Sequence, residues 1–339
     1  MSAASGTETG RAMRYWSARE VEDHVTLRAA TEAVRAAFLN DAPAGHEQPL
    51  RLSLGDGRML VMAARRHSDG NAIVKVVKVA TDAASGGRTP MIDGTLLWVG
   101  GSGEPVWAAD ADVLTVLRTA AMVGLATDAL AVRHAHRLTV LGAGEQAAAQ
   151  VAAVALVRPV DEVTIWNRTR RRADLLAERL TATMPRARVS VADDPDNAVR
   201  GAHVVCCATG ATEPLFSASS LGPEAHLNAV GSYRAAMREF PAELLGSASY
   251  VAVDDASACA VESGEIVEAV ERGLIQPGRL RDLATLLTER PVRRGQTVFK
   301  SVGTALADLA VAELLATGTT HGADTGAGTD TASGRPGDV

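Results

Sequence analysis

The chain has little cysteine, little lysine, no excess of basic charge and no long apolar run. Only Cys206, Cys207 and Cys259 are present, two of them adjacent, which gives neither a disulfide framework nor a spaced zinc site, so no metal is expected. Lys plus Arg number 34 against 40 Asp plus Glu, a formal charge of -6, and a nucleic-acid footprint would need a basic face to collect phosphates. No apolar stretch approaches the roughly 18 residues of a membrane helix. The opening MSAASGTETGRAM lacks the apolar core of a signal peptide. These absences lead to the expectation of a soluble, cytoplasmic protein with neither a nucleic-acid nor a membrane partner. Lysine occurs only at Lys75, Lys78 and Lys300 among the 34 basic residues, so each is a candidate for work that guanidinium does poorly, such as a compact point charge or a titratable amine.

What is present is a globular balance, with 47% hydrophobic and 22% charged residues over 339 positions, enough for two domains. Residues 1–13 and 317–339 are small and polar, cannot bury enough apolar surface to offset ordering, and are expected to be disordered. Ser17 and Glu20 read as a capping box opening an amphipathic helix through VEDHVTLRAATEAVRAAFL. Short Val-, Leu- and Trp-rich runs follow (LRLSL, RMLVMAA, AIVKVVKVA, GTLLWVG, PVWAAD), then a helix from about Thr115 to Val132. From Arg137 strands and helices alternate, and several strands are near-continuous apolar runs. That is the pattern of an α/β doubly wound parallel sheet. A last helix, SVGTALADLAVAELLA, is expected to pack back on the N-terminal domain.

The strand RLTVL runs into Gly142, Ala143, Gly144, Glu145, Gln146 and Ala147 and then an alanine-rich helix. This is G-x-G-x-x-A in its required setting: one glycine for the turn, one for approach of the pyrophosphate, and alanine for close helix packing. The helix N-terminus adds free N–H groups and partial positive charge. An NAD site usually ends its second strand in Asp or Glu. Here the strand ends in Asn167, Arg168 and Thr169, donors and positive charge suited to a 2′-phosphate, which favours NADP over NAD. Thr209 and the run Asn228, Val230, Gly231 and Ser232, at the ends of two later strands, are expected along the cofactor crevice. On AIVKVVKVA, side-chain alternation sends Lys75 and Lys78 to opposite faces. Arg51 and Arg118 are either salt-bridged or presented to a ligand.

The order QPLRL, IVKVV, GTLLWV, LTVLRTAA, VLGAGEQA, IWNRT, GAHVVCCAT, HLNAVGS followed by RE, and TVFKSVG resembles the ornithine cyclodeaminase/mu-crystallin family over about Val21 to Leu315. IWNRT and VFKSVG lie closest to its mu-crystallin branch of NADPH-using ketimine reductases. The resemblance implies a Rossmann domain (123–297) inserted in an α+β substrate-binding and dimerisation domain (14–122 plus 298–316), in a homodimer. It also implies that Arg51, Lys75 and Arg118 hold the α-carboxylate of an imino or amino acid.

Two departures from the family pattern bear on the reaction. Tyr233 stands where cyclodeaminases carry an aspartate, and a phenol cannot serve as carboxylate base at neutral pH. Met62-Ala63-Ala64 replaces the family's Met-Pro-Ala. The expected activity is NADP-dependent reduction of an imino-acid C=N bond, or the reverse amino-acid dehydrogenation, with Lys75 or Tyr233 as proton donor. The competing readings are an NAD-dependent cyclodeaminase releasing ammonia and a non-catalytic NADP-binding protein.

Overall fold

The computed structural model describes residues 13–42, 45–55, 58–79, 92–101, 105–289, 291 and 294–320. The expected N-terminal disorder therefore falls, apart from Met13, outside the described residues, as does the C-terminal tail beyond Thr320. Residues 317–320 are corrected: the final helix, Ala305–Thr320, runs through them.

Two sheets divide the chain. The first holds β1 (Arg14–Trp16), β2 (His46–Glu47), β3 (Leu52–Leu54), β4 (Met59–Arg66), β5 (Ala72–Val79), β6 (Ile92–Val99) and β7 (Trp107–Asp110). Its order is β1-β7-β6-β5-β4-β2, with β3 pairing β4, and from β4 to β7 the pairing is antiparallel. The second sheet holds β8 (Arg137–Leu141), β9 (Glu162–Trp166), β10 (Arg188–Val191), β11 (Val204–Cys207), β12 (His226–Ala229), β13 (Tyr250–Val253), β14 (Arg281–Asp282) and β15 (Thr297–Lys300). It is parallel throughout, in the order β10-β9-β8-β11-β12-β15-β13-β14. The order reverses between β8 and β11, and a ligand crevice opens beyond the carboxyl ends of strands at such a switch point.

The Ser17–Glu20 capping box is present, but the helix it opens is short. α1 (Ala18–His24) stops at Val25, and Thr26 caps a second helix, α2 (Leu27–Asn40). Thr26 accepts from Ala29 N at 3.1 Å, so a mid-helix threonine has become a second start, the behaviour of a residue whose hydroxyl competes for backbone donors. α3 (Ala111–Leu130) begins earlier than expected because Asp110 accepts from Asp112 N and Val113 N.

Two further expectations change. α3 is in fact long and apolar enough to cross a membrane by length and composition. It packs instead against α2, α4 (Glu145–Val157) and the final helix, and a helix apolar all round is what a protein core requires. The domain limits also move. Residue 123 lies inside unbroken α3, and 298 lies inside β15, which hydrogen-bonds to β12 and β13 and so belongs to the parallel sheet. The final helix packs on α2, α3, β4 and β5, returning the chain to the first sheet after the second is complete.

Candidate active site

β5 carries the first functional side chain. Its burial alternates, with Lys75 enclosed among Ile73 and Val77 while Val76 and Lys78 are exposed. A lysine on a covered face must find acceptors or lose its charge. Lys75 Nζ donates to Thr115 Oγ1 on α3 at 2.5 Å and to Asp308 Oδ1 on the final helix at 2.9 Å. Arg118, one turn along α3 from Thr115, places its Nε 3.2 Å from the same Asp308 oxygen. Burial drives the Lys75 ammonium down to about 8, with Asp308 pulling back upward and Arg118 pushing further down.

Arg51, just before β3, comes in from the opposite side. Its Nε donates to Glu262 Oε1 at 2.8 Å, and Nη2 donates to Glu262 Oε2. Nη1 reaches Val302 O at 2.8 Å and Nη2 reaches Tyr233 O at 3.1 Å. Four of the five guanidinium N–H groups are thereby placed within the protein. Arg118 meets the same loop from the other side. Gly303 has φ +97°, and a Cβ there would stand 3.0 Å from Arg118 Nη2. Asp254 holds this loop by accepting from Ser301 Oγ and Gly303 N, each at 2.7 Å. Arg51 lines a small pocket with Met62, Glu262 and Gly303; Lys75 and Arg118 stand behind its wall, Lys75 as the register partner of Met62 and Arg118 against Gly303.

The two carbonyls that accept from Arg51, those of Tyr233 and Val302, follow the carboxyl ends of β12 and β15. The Tyr233 ring is half-buried with the Arg51 and Arg234 guanidinium carbons 5.9 and 5.4 Å from its centre. Burial raises its phenol further above 10, against the opposing pull of both arginines. Asp112, in the first turn of α3, is pushed up to about 7 by burial and by Asp110 and Glu145.

The dinucleotide residues occupy the switch point. Gly142 has φ +115°, and a Cβ would come within 2.4 Å of Ala208 O, so only glycine fits. At Gly144 a Cβ would meet nothing within 4 Å among the described residues, so the turn leaves room for a ligand. Gly144 is also the N-cap of α4 and provides no side-chain cap, leaving the first helical N–H groups to a ligand. These features fit a pyrophosphate. Asn167, after β9, accepts from Ala143 N at 3.2 Å and donates to Thr169 O at 2.9 Å, tying the second strand to the glycine turn. Arg168 and Thr169 lie exposed beside it.

The later strand ends behave differently. Glu239 is wholly enclosed and accepts from Thr209 N at 2.6 Å, Thr209 Oγ1 at 3.0 Å, Gly231 N at 2.7 Å and Ser232 N at 3.0 Å. Ser232 Oγ donates to Glu265 at 2.6 Å and accepts from Lys300 at 2.6 Å. Asn228 is enclosed in mid-strand, donating to Thr127 Oγ1 at 3.0 Å beside His226. The structure therefore keeps Asn228 and Ser232 beneath the crevice rather than on its surface, and the amide groups of Thr209 and Gly231 are turned to Glu239. Thr209, Val230 and Gly231 follow the carboxyl ends of β11 and β12 and are half-buried.

Asp308, Thr115, Glu262, Glu239 and Glu265 were not among the expected residues. Asp308 carries one advance mark, as the only charge between Lys300 and Glu313 in an apolar helix. Lys300 carries another, as one of three lysines.

The profile of the ornithine cyclodeaminase/mu-crystallin family matches residues 12–320. A delta(1)-pyrroline-2-carboxylate reductase of Bacillus cereus is 32% identical over 247 residues, covering 71% of this chain and 75% of its own. The ketimine reductase mu-crystallin of Mus musculus is 30% identical over 322 residues, covering 90% and 97%. The solved structure of Thermococcus litoralis delta(1)-pyrroline-2-carboxylate reductase with NADH and L-proline superposes with a TM-score of 0.85 at 25% identity, over 91% of this chain and 98% of that one.

Proposed function

The chain belongs to the ornithine cyclodeaminase/mu-crystallin family, and from that premise we propose that it reduces the C=N bond of an imino acid with NADPH. Kinship with pyrroline-2-carboxylate and ketimine reductases over most of the length supports imino-acid reduction with a nicotinamide coenzyme. The observation that carries the reading within this chain is the enclosure of Lys75 beside Arg118, whose guanidinium abuts Gly303 in the loop that follows β15.

Gly142, Gly144 and the first turn of α4 would hold the pyrophosphate, with Glu145, Gln146 and Ala147 forming that turn. Once bound, the coenzyme supplies the hydride. Arg118, with the remaining N–H of Arg51, fixes the substrate carboxylate, to which Lys75 adds its charge, and this orients the adjacent carbon. Lys75 provides the proton: an ammonium brought down to about 8 is an effective acid near neutrality. Tyr233, whose phenol burial makes harder to ionise, lines the pocket and shields it from water. The preference for NADPH rests on the absence of a carboxylate after β9 and on Asn167, Arg168 and Thr169 in its place.

A homodimer is part of this reading. β3 to β6 leave Leu52, Met59, Val76 and Val99 exposed on the outer side of the first sheet, and a second copy of the chain would cover them. Sedimentation tests that assignment.

The deciding assay follows NADPH and NADH oxidation with delta(1)-pyrroline-2-carboxylate and with 2-oxo acids plus ammonia. Oxidation of NADPH with formation of the amino acid is expected. No consumption of either coenzyme with any imino acid overturns the reading, and ammonia release from ornithine without net coenzyme consumption replaces it with cyclodeamination.

A further inference from the structure

Asp308 is wholly enclosed, on a helix that enters the site only after the second sheet is complete. A buried carboxylate is costly unless it is fully compensated. Here Oδ1 meets both Lys75 and Arg118, while Oδ2 has no hydrogen-bond partner among the described residues. The cations it meets are the two assigned above to the substrate's acid group.

We propose that Asp308 is the positioning residue of the proton-transfer step: together with Thr115 it engages two of the three N–H bonds of Lys75 Nζ, and so leaves a single one to reach a bound substrate. The proposal rests on the functional reading above and deepens it.

The hydrogen-bond directions carry the argument. Thr115 has one hydroxyl hydrogen and donates it to Ala111 O at 2.5 Å, so toward Lys75 it can only accept. Asp308 also accepts. Two acceptors against one amine select the ammonium form, because hydrogen bonds to a charged form favour it. The charged groups facing Lys75 are Asp308 from the final helix and Arg118 and Asp112 from α3, and only Arg118 opposes the proton. In the step itself, the remaining N–H of Lys75 breaks as an N–H forms on the substrate nitrogen, while the C=N carbon takes the hydride of NADPH. The product is the amine, NADP is left oxidised, and neutral Lys75 regains its proton from water. Without Asp308 the ammonium would face burial and Arg118 with little to offset them.

Three lysines make the test direct, since a protein labelled with ¹⁵N at lysine Nζ gives three signals to assign by substitution. In the wild type the Lys75 signal should titrate near pH 8, and kcat/KM should fall above the same pH. Asp308→Asn should lower both midpoints by at least about one pH unit, as loss of an opposite charge at this range does. Thr115→Val should cut kcat about tenfold with the KM for NADPH unchanged, and Thr115→Ser, which restores the acceptor, should recover it. A Lys75 midpoint that stays in place in Asp308→Asn, with activity lost evenly at every pH, makes Asp308 merely structural and overturns the proposal. If Asp308→Asn does not fold, the Thr115 pair decides, and equal activity of Val and Ser variants overturns it. A Lys75 midpoint that moves as stated in a protein that reduces no imino acid leaves the positioning role standing and removes the functional reading.

Discussion

Glu262 closes the guanidinium of Arg51 with both of its carboxylate oxygens, across 211 positions of sequence. The pair joins the strand entering the first sheet to the end of helix Ala256–Glu262 in the second half of the chain. Arg51 was expected to be either salt-bridged or, by the family resemblance, one of three cations holding the substrate carboxylate. Its fork is occupied by Glu262, and two loop carbonyls take further N–H groups, so what remains for a substrate is one N–H in a fixed direction. Burial raises the Glu262 carboxyl while Arg51 holds it down. The pair is a brace that gives the pocket its shape.

Glu262→Gln keeps the size of the side chain and one acceptor but removes the charge. The KM for the imino acid should rise about five- to tenfold with kcat changed less than about twofold, because uniform binding is lost rather than transition-state contact. Glu262→Ala should also lower stability by about 2 kcal/mol, less than for a fully buried pair because a fifth of the Glu262 side chain is exposed. Initial rates and chemical denaturation check the two halves separately.

Coenzyme choice should follow the end of β9. Arg168→Ala is expected to raise the KM for NADPH by roughly 10- to 100-fold, the worth of a charge-assisted contact, and to leave the KM for NADH within about twofold. Asn167→Asp keeps an acceptor for Ala143 N but sets a negative charge where the phosphate would lie, so the preference should turn to NADH. Equal response of both coenzymes to both variants would remove the phosphate from this corner.

Much of this architecture was legible in the sequence, for local reasons. The glycine turn is a contiguous motif whose strand and helix neighbours are also contiguous, and the alternation of β5 separates Lys75 from Lys78 by geometry alone. Convergence is not local. Asp308 meets Lys75 across 233 positions and Glu239 reaches Thr209 across 30, and no periodicity encodes either meeting. The same limit explains Ser232 and Asn228. Their place after an apolar strand suggested the crevice, but whether a polar side chain there faces a ligand or a buried partner depends on Glu265, Lys300 and Thr127, which arrive from elsewhere. The split between α1 and α2 failed differently, since Val25-Thr26 continues the apolar pattern while Thr26 caps a new start.

The identity of the proton donor gives a pH prediction. Lys75 must carry its proton to donate it, so kcat/KM should be level below about 8 and fall about tenfold per pH unit above that. Lys75→Met should lose roughly 100- to 10,000-fold of activity, the usual weight of a positioned acid, with the alkaline fall abolished. Tyr233→Phe should stay within about threefold of the wild type and keep that fall, because a phenol raised above 10 takes no part in it. A Tyr233→Phe enzyme as damaged as Lys75→Met would move the donor to Tyr233.

Gly303 offers a test of the pocket that replaces no ionisable group. Its φ of +97° is a conformation L side chains rarely adopt, and an added Cβ would stand 3.0 Å from Arg118 Nη2. The guanidinium is almost enclosed and has little room to give, with Asp308 already beside its Nε. Gly303→Ala should therefore shift Arg118 by a few tenths of an ångström at a cost of about 1–2 kcal/mol in stability. It should also raise the KM for the imino acid by about tenfold, since a carboxylate held by two or three cations depends steeply on their spacing. The coenzyme turn at Gly142 and Gly144 lies on other strands, so the KM for NADPH should not move. An alanine variant with unchanged KM for the acid would mean that Arg118 does not hold the carboxylate, and the grip would rest on Lys75 and Arg51 alone.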